Sequence, residues 1–191
     1  MNPKARHPSG EISLQLNIGL RGTDPLVWRR VLVPGAMTLE KLHSVIQAAM
    51  GWEDRHLHVF EIFGERYGPP DFELEDDEQD LDEEGVRLHL LLDEADHFTY
   101  EYDFGDTWIH DIVVETIGSV TFPLTRAVCF DGAMACPPED IGGPWGFADF
   151  AKVMSDPSHH QYAAMLERFG GIFDATDFNL GDANARIQAI P

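Results

Sequence analysis

Residues 100–112 read YEYDFGDTWIHDI, and this stretch decides the fold of the chain. Up to Phe104 aromatic residues alternate with acidic or polar ones, which is the period of two expected of a half-buried strand. Gly105-Asp106 then predicts a tight turn, because glycine can adopt a positive φ angle. From Trp108 to Ile117 the chain is rich in Ile and Val, which favour a second strand. The stretch therefore predicts a β-hairpin.

Further strands are predicted by the same alternation of apolar and polar residues. It is clearest over residues 12–20 and recurs over residues 26–33, with a turn between the two. Residues 56–63 and 86–92 are also expected to be strands.

One helix is predicted from its two ends as well as from its spacing. Thr38 is a good N-cap, and Leu39, Leu42 and Met50 follow at helical intervals. Gly51 occupies the position at which a left-handed residue ends a helix.

The order of these elements indicates the fold class. Apolar spacing predicts three short helices near the C-terminus, over residues 147–154, 162–169 and 182–190. Strands, one early helix, more strands and a C-terminal helical segment are typical of an α+β fold with a mostly antiparallel sheet. No repeat or linker divides the chain, so residues 1–191 are expected to form a single domain.

The net negative charge of the chain limits the classes of partner that it can bind. The net charge is −21, from 34 acidic and 13 basic residues. Such a surface repels phosphate backbones and anionic membranes, so direct nucleic-acid or membrane binding is not expected. Ten of the acidic residues lie in the segment 71–84, which has no basic residue and is predicted to be a solvated, mobile loop. A weak calcium site is the alternative, although the spacing is not that of an EF-hand loop.

The remaining composition favours a cytoplasmic protein without a cofactor. Cys129 and Cys136 are the two cysteines, which is too few for a disulfide framework. The first residues lack the apolar run of a signal peptide, and no stretch approaches the about 18 apolar residues of a membrane span.

Several motifs carry a resemblance to a known family. In chain order they are PLVWRR at 25–30, LH at 42–43, QAAMGW at 47–52, HLH at 56–58, YEYDFGDTWIH at 100–110, CPPED at 136–140 and GGPWG at 142–146. Together they resemble the plasmid pRiA4b ORF-3-like family, also called MM3350-like, over roughly residues 12–184. The resemblance implies a compact α+β fold and an association with mobile elements, since the family is described by similarity as resolvase-like or tyrosine-recombinase-like. Many relatives carry a cysteine where this chain has Ile141, which argues against a site needing a third cysteine.

Recombinase chemistry is disfavoured by the residues themselves. A tyrosine recombinase needs a nucleophilic tyrosine in a cationic pocket that clamps the scissile phosphate. Tyr100 and Tyr102 instead flank Glu101 and Asp103, and no Arg-His-x-x-Arg arrangement occurs. An accessory role near DNA remains open.

Metal binding is a weaker alternative, and no metal is the preferred prediction. His56 and His58 are expected to share one face of a strand, and Cys129 and Cys136 are further weak candidates. His43, His110, Asp103 and Asp106 complete the set of possible ligands. The competing interpretation is that the histidines bond neighbouring carboxylates and the thiols are buried.

An enzymatic function, hydrolysis, is the alternative to a binding function. Asp103, Asp106, His110 and Glu139 form an acid/base cluster if the loop after Cys136 folds over the hairpin. Carboxylates also cap turns, and the chain has no nucleophile motif.

The leading hypothesis is a non-enzymatic binding or accessory protein. Trp28, Trp52, Trp108 and Trp145 come from separate motifs and are either core residues or an interaction patch rimmed by acids. The candidate surface joins the hairpin to the loop of residues 136–146, and its residues are Asp103, Asp106, Trp108, His110, Glu139, Asp140 and Trp145. A basic protein or peptide partner would suit it, and the oligomeric state is left open.

Overall fold

A computed structural model describes residues 12–69, 80–119 and 124–191. These ranges contain eight strands and five helices. The strands are β1 (Ile12–Leu20), β2 (Trp28–Pro34), β3 (His58–Ile62), β4 (Glu65–Gly68), β5 (Leu81–Asp82), β6 (His97–Tyr102), β7 (Trp108–Ser119) and β8 (Val128–Ala133). The helices are α1 (Leu39–Met50), α2 (Leu88–Leu91), α3 (Gly143–Met154), α4 (Tyr162–Phe169) and α5 (Leu180–Ala189).

The strands form one sheet in the order β5-β4-β3-β6-β7-β1-β2-β8. Every pair is antiparallel except β4 with β5. The predicted α+β class and the mostly antiparallel sheet are therefore confirmed. The central hairpin is β6 with β7, and Tyr102 lies opposite Trp108 in its register.

One face of the sheet carries the core. Leu14, Leu16, Ile18 and Leu20 of β1 are fully buried, as their alternation requires. They belong to the same core cluster as the buried face of α1. Both predicted ends of α1 are present, since the Thr38 hydroxyl accepts from the Lys41 amide and Gly51 has a φ of 106°.

Residues 86–92 differ from their predicted strand. The segment instead makes one helical turn, α2, after a single bridge between Thr38 and Arg87. Leu88 and His89 donate their amides to Met37 and Gly35, ahead of α1. The alternation of leucines predicted the burial of Leu88 but not the backbone conformation of the segment, because a short apolar run is compatible with a strand or with a helical turn.

The acidic segment is ordered at its C-terminal end. Residues 71–79 lie outside the described ranges. Leu81–Asp82 forms β5, and Glu83 is only 4% exposed because its carboxylate contacts His58. Residues 80–84 are therefore part of the folded sheet edge and not the solvated loop that their charge predicts.

The three C-terminal helices are present: α4 begins at its predicted residue, and α5 and α3 begin two and four residues before theirs. Asn184 of α5 closes the edge of β8, because its side chain accepts from the Cys129 amide and donates to the Cys129 carbonyl. In the described ranges the longest helices have 12 residues, and none is long and apolar enough to cross a bilayer.

Candidate functional site

The turn of the central hairpin is longer than the two-residue turn that Gly105-Asp106 suggests. It spans residues 103–107, and both Asp103 and Thr107 have a φ of 56°. Asp103 Oδ1 accepts from the amides of Gly105 at 3.0 Å and Asp106 at 3.3 Å. Aspartate is suited to this position because it tolerates the left-handed conformation and bonds its own turn.

The hairpin contacts the loop between β8 and α3, as the candidate surface requires. Asp106 Oδ2 accepts from the Gly142 amide at 2.9 Å. Gly143 has a φ of 69°, and a Cβ atom there would lie 2.4 Å from the Asp106 carbonyl oxygen. The Gly142-Gly143 pair therefore lets the loop approach the hairpin backbone.

Three residues of the predicted surface are buried, and the first of them, Asp103, is 7% exposed. Trp108 and His110 are both 0% exposed, since they point into the core from β7. His110 Nδ1 lies 3.3 Å from the Tyr100 carbonyl oxygen, and burial lowers the pKa of His110 to about 4. This part of the prediction is corrected: a neutral buried imidazole is structural here. Trp145, in contrast, is 87% exposed.

A second polar cluster forms where three loops meet. His56 Nε2 lies 3.1 Å from Asp140 Oδ1, 3.5 Å from Asp103 Oδ2 and 3.8 Å from Glu139 Oε2. This nitrogen is buried, yet no described residue makes an aligned hydrogen bond with it. The chain therefore brings Asp103, Glu139 and Asp140 together, but around His56 and not around His110.

Glu139 also ties the loop after Cys136 to the rest of the site. Its carboxylate accepts from the Glu53 amide at 2.9 Å and from the Tyr102 hydroxyl at 3.2 Å. The same hydroxyl accepts from the Arg55 amide. Burial and the Glu139 charge raise the pKa of Tyr102, so the phenol stays protonated.

His58 belongs to a different network from His56. Its Nε2 lies 3.0 Å from Glu83, and its ring stacks on the His43 ring at 3.6 Å. His43 contacts the Tyr100 hydroxyl and Asp54 through its two nitrogens, and burial together with His58 lowers its pKa to about 4. The two predicted ligands on one strand are thus separated, because β3 begins only at His58.

Neither cysteine shares a ligand set with these histidines. Both are free thiols, and Cys129 is buried with its amide bonded to Asn184. Burial raises the pKa of both thiols, to about 12 for Cys136. Protonated thiols are poor metal ligands and poor nucleophiles.

An open groove of about 820 Å³ adjoins the cluster. Its walls are the loop after α1, the loop after β8, the end of α4 and the start of α5. The acidic lining residues are Glu53, Glu139, Asp140, Glu167, Asp177 and Asp182, and the basic ones are Arg29, Arg55, Arg168 and Arg186. Phe169, Phe173 and Phe178 provide apolar surface between them.

Two of the groove arginines complete the C-terminus of α1. Arg29 Nε donates to the Ala49 carbonyl at 3.1 Å, and Arg186 Nε donates to the Ala48 carbonyl at 2.8 Å. Cations favour this end of a helix, where carbonyl groups lack partners. These two arginines therefore have a structural function, and they do not form a cationic pocket around a tyrosine hydroxyl.

Comparison with known proteins agrees with this architecture. The profile of the plasmid pRiA4b ORF-3-like protein family matches residues 13–182. An uncharacterized protein, y4hQ of Sinorhizobium fredii, is 38% identical over 182 residues, which cover 92% of this chain and 90% of the relative. The crystal structure of MM3350, a protein of unknown function from Methanosarcina mazei, has a TM-score of 0.80 and 32% identity, and the match covers 91% of this chain and 98% of that one. This chain therefore belongs to the plasmid pRiA4b ORF-3-like family.

Proposed function

We propose that this chain is a non-enzymatic binding protein whose groove takes a basic segment of a protein partner. The observation that carries the proposal is the charge of the groove, which has six acidic and four basic lining residues. Arg55 is neutralised by its ion pair with Glu53, and Arg29 and Arg186 bond α1 carbonyls. The Arg55–Glu53 pair removes one charge of each sign, and the six acidic and four basic residues give the lining a formal charge of −2, negative like the net charge of the whole chain.

The groove also has the mixed surface of a peptide-binding site. Three phenylalanine side chains line it together with six carboxylates. Aromatic anchors supply affinity at interfaces, whereas charged rims supply specificity and faster association. A segment with Lys or Arg between apolar residues would complement both features.

The hydrolase alternative has less support from the geometry. Its cluster needs Asp106, His110 and Glu139 around one open pocket. His110 is buried, Asp106 bonds the Gly142 amide, and Glu139 bonds Tyr102 and Glu53. Each of the three groups thus has a separate structural partner.

The association with mobile elements that the family description suggests would, on this proposal, operate through protein contacts. Tyr100 and Tyr102 are fully buried, and no tyrosine is among the groove-lining residues. A strand-exchange nucleophile would have to be exposed beside cations. An accessory protein that binds a basic partner needs neither feature.

A peptide array tests the proposal directly. The purified full chain is applied to peptides in which the numbers of Lys or Arg, of Asp or Glu, and of aromatic residues vary independently. We expect retention on basic peptides that contain apolar residues, decreasing with added salt, and none on their acidic counterparts. Equal retention on acidic and basic peptides, or none on either, would contradict the proposal.

Charge-reversal variants test whether the basic peptide binds in the groove. Glu167→Lys with Asp177→Lys inverts two exposed groove charges and should weaken binding of a retained basic peptide at least tenfold. The control is Asp149→Lys with Glu94→Lys, which makes the same change in net charge on exposed residues outside the groove. Similar losses in both double variants would indicate a general charge effect and no groove.

A further inference from the structure

Three loops at one end of the sheet bring metal-ligating side chains to a single point. His56 comes from the segment between α1 and β3, Asp103 from the turn between β6 and β7, and Asp140 from the loop between β8 and α3. One ligand atom from each lies within 4.8 Å of the other two, which no other described group of such residues achieves.

The two distances from His56 are close to the edges of a coordination shell, and the third edge, between Asp103 and Asp140, is within 4.8 Å. A tetrahedral ion with metal–ligand bonds of about 2.0–2.2 Å places its ligand atoms about 3.3–3.6 Å apart. The His56 nitrogen lies 3.1 Å from Asp140 and 3.5 Å from Asp103. Little movement is therefore needed to seat an ion between them. Glu139 lies further away, at 3.8 Å, and its carboxylate already accepts from the Glu53 amide and the Tyr102 hydroxyl.

The hydrogen bonds of the cluster leave the inward atoms free. Asp103 uses Oδ1 for the amides of its own turn, whereas Oδ2 faces His56. His56 Nε2 is buried and makes no aligned hydrogen bond with any described carboxylate. Six described side-chain atoms have this status, among them Nε2 of the core residue His110, but the His56 nitrogen is the one that faces several carboxylates. A missing ion is one of the ordinary explanations of such an atom.

The cluster has more carboxylates than basic groups at short range. Three carboxylates converge, and among the described residues His56 is the one basic side chain within 4.0 Å of them. Arg55 pairs with Glu53 and also interacts electrostatically with Glu139 and Asp140 from beyond that distance. One imidazole neutralises at most one carboxylate, so a divalent ion complements the group better than a proton does.

We infer that His56, Asp103 and Asp140 bind a divalent transition-metal ion as its three protein ligands. One imidazole with carboxylate oxygens is a donor set that suits zinc, and manganese after it. The ion would fasten three loops to one another, two of which form walls of the groove. This site goes beyond the peptide-binding proposal and does not depend on it.

Titration with the metal alone tests the inference. The full chain is produced without a histidine tag, stripped with a chelator and titrated with Zn²⁺ by calorimetry, and Co²⁺ absorption reports the coordination geometry. We expect one ion per chain, a rise in melting temperature and a tetrahedral Co²⁺ spectrum. The absence of saturable binding near one equivalent would overturn the inference.

Ligand variants distinguish this site from adventitious binding. His56→Gln, Asp103→Asn and Asp140→Asn should each weaken Zn²⁺ binding at least tenfold, and His56→Gln should abolish the rise in melting temperature. The control is His159→Gln with His160→Gln, which removes an adjacent histidine pair elsewhere on the chain. Unchanged affinity in His56→Gln, or loss of binding in the control, would assign the ion to another place. Peptide binding does not enter the measurement, so its failure would leave the metal result intact.

Discussion

Asp103 shows how one residue can serve both the fold and a site. It holds a left-handed backbone conformation while one of its oxygens accepts two amides of the turn. Asp103→Ala removes both hydrogen bonds, and alanine adopts the left-handed conformation less readily than aspartate does. We expect it to lower the free energy of unfolding by about 2 kcal/mol in urea denaturation.

Asp103→Asn is the matched control. Asparagine tolerates the same conformation and retains an acceptor oxygen, so its stability should lie within about 0.5 kcal/mol of the wild type. Equal losses in the two variants would mean that the carboxylate charge, and not the turn, stabilises this residue.

Buried histidines make the stability depend on pH. His110 has a folded pKa of about 4, below the ordinary value of 6.5, because burial disfavours the imidazolium. Between these values the unfolded chain holds a proton that the folded chain excludes, so stability is complete above pH 6.5 and is lost as the pH falls towards 4. His43 acts in the same direction.

His110→Phe isolates this contribution. Between pH 7 and pH 5 the variant should lose about 2 kcal/mol less of its free energy of unfolding than the wild type loses. The exposed His97→Gln should keep the wild-type dependence. A dependence in His110→Phe equal to that of the wild type would show that His110 titrates normally in the folded state.

Among the elements, the contact between the central hairpin and the loop before α3 organises the site. Gly143→Ala would place a Cβ atom 2.4 Å from a backbone carbonyl of the hairpin, at a φ of 69°. Gly85→Ala meets a similar φ of 76° with no atom within 4 Å. Both variants carry the conformational cost of about 1 kcal/mol, and only Gly143→Ala must also separate the two elements.

Thermal and urea unfolding of the two variants measure that difference. We expect the free energy of unfolding of Gly143→Ala to be lower than that of Gly85→Ala by about 1–3 kcal/mol. Equal stabilities would mean that the loop moves away from the hairpin at no cost, in which case the candidate surface is not a fixed structure.

Sequence patterns predicted well those elements whose own residues show a clear periodicity and a turn or cap. The hairpin, β1 and α1 each combine clear periodicity with a turn or cap, and Thr38 and Gly51 mark the ends of α1 as expected. β5 and α2 have only two and four residues, and their conformation depends on partners distant in sequence. Local patterns contain no information about such partners.

The candidate site was predictable in part for the same reason. The convergence of Asp103 with Glu139 and Asp140 followed from the expectation that the loop folds over the hairpin. His110 alternates correctly with Trp108, but alternation alone does not say whether that face meets solvent or core, and both are buried. The groove could not be predicted, because its walls are brought together by the C-terminal helices.

For the whole molecule, charge is the dominant property. With a net charge of −21, the chain should not bind duplex DNA. A mobility-shift assay with duplexes of mixed sequence should therefore show no complex even at low salt. A complex that dissociates as salt is added would show that the groove arginines act on phosphates, and strand exchange would again be a candidate function.

The claim on which the account depends is that the groove between the loop after β8 and helices α4 and α5 binds a basic protein segment. Titrating ¹⁵N-labelled protein with the basic peptide best retained on the array tests it most directly. The account predicts amide shift changes concentrated in the residues around Glu53, Glu139, Glu167 and Asp177, with little change at the opposite sheet edge near β4. Shift changes that avoid these groove residues, or that appear uniformly over the acidic surface, would contradict it.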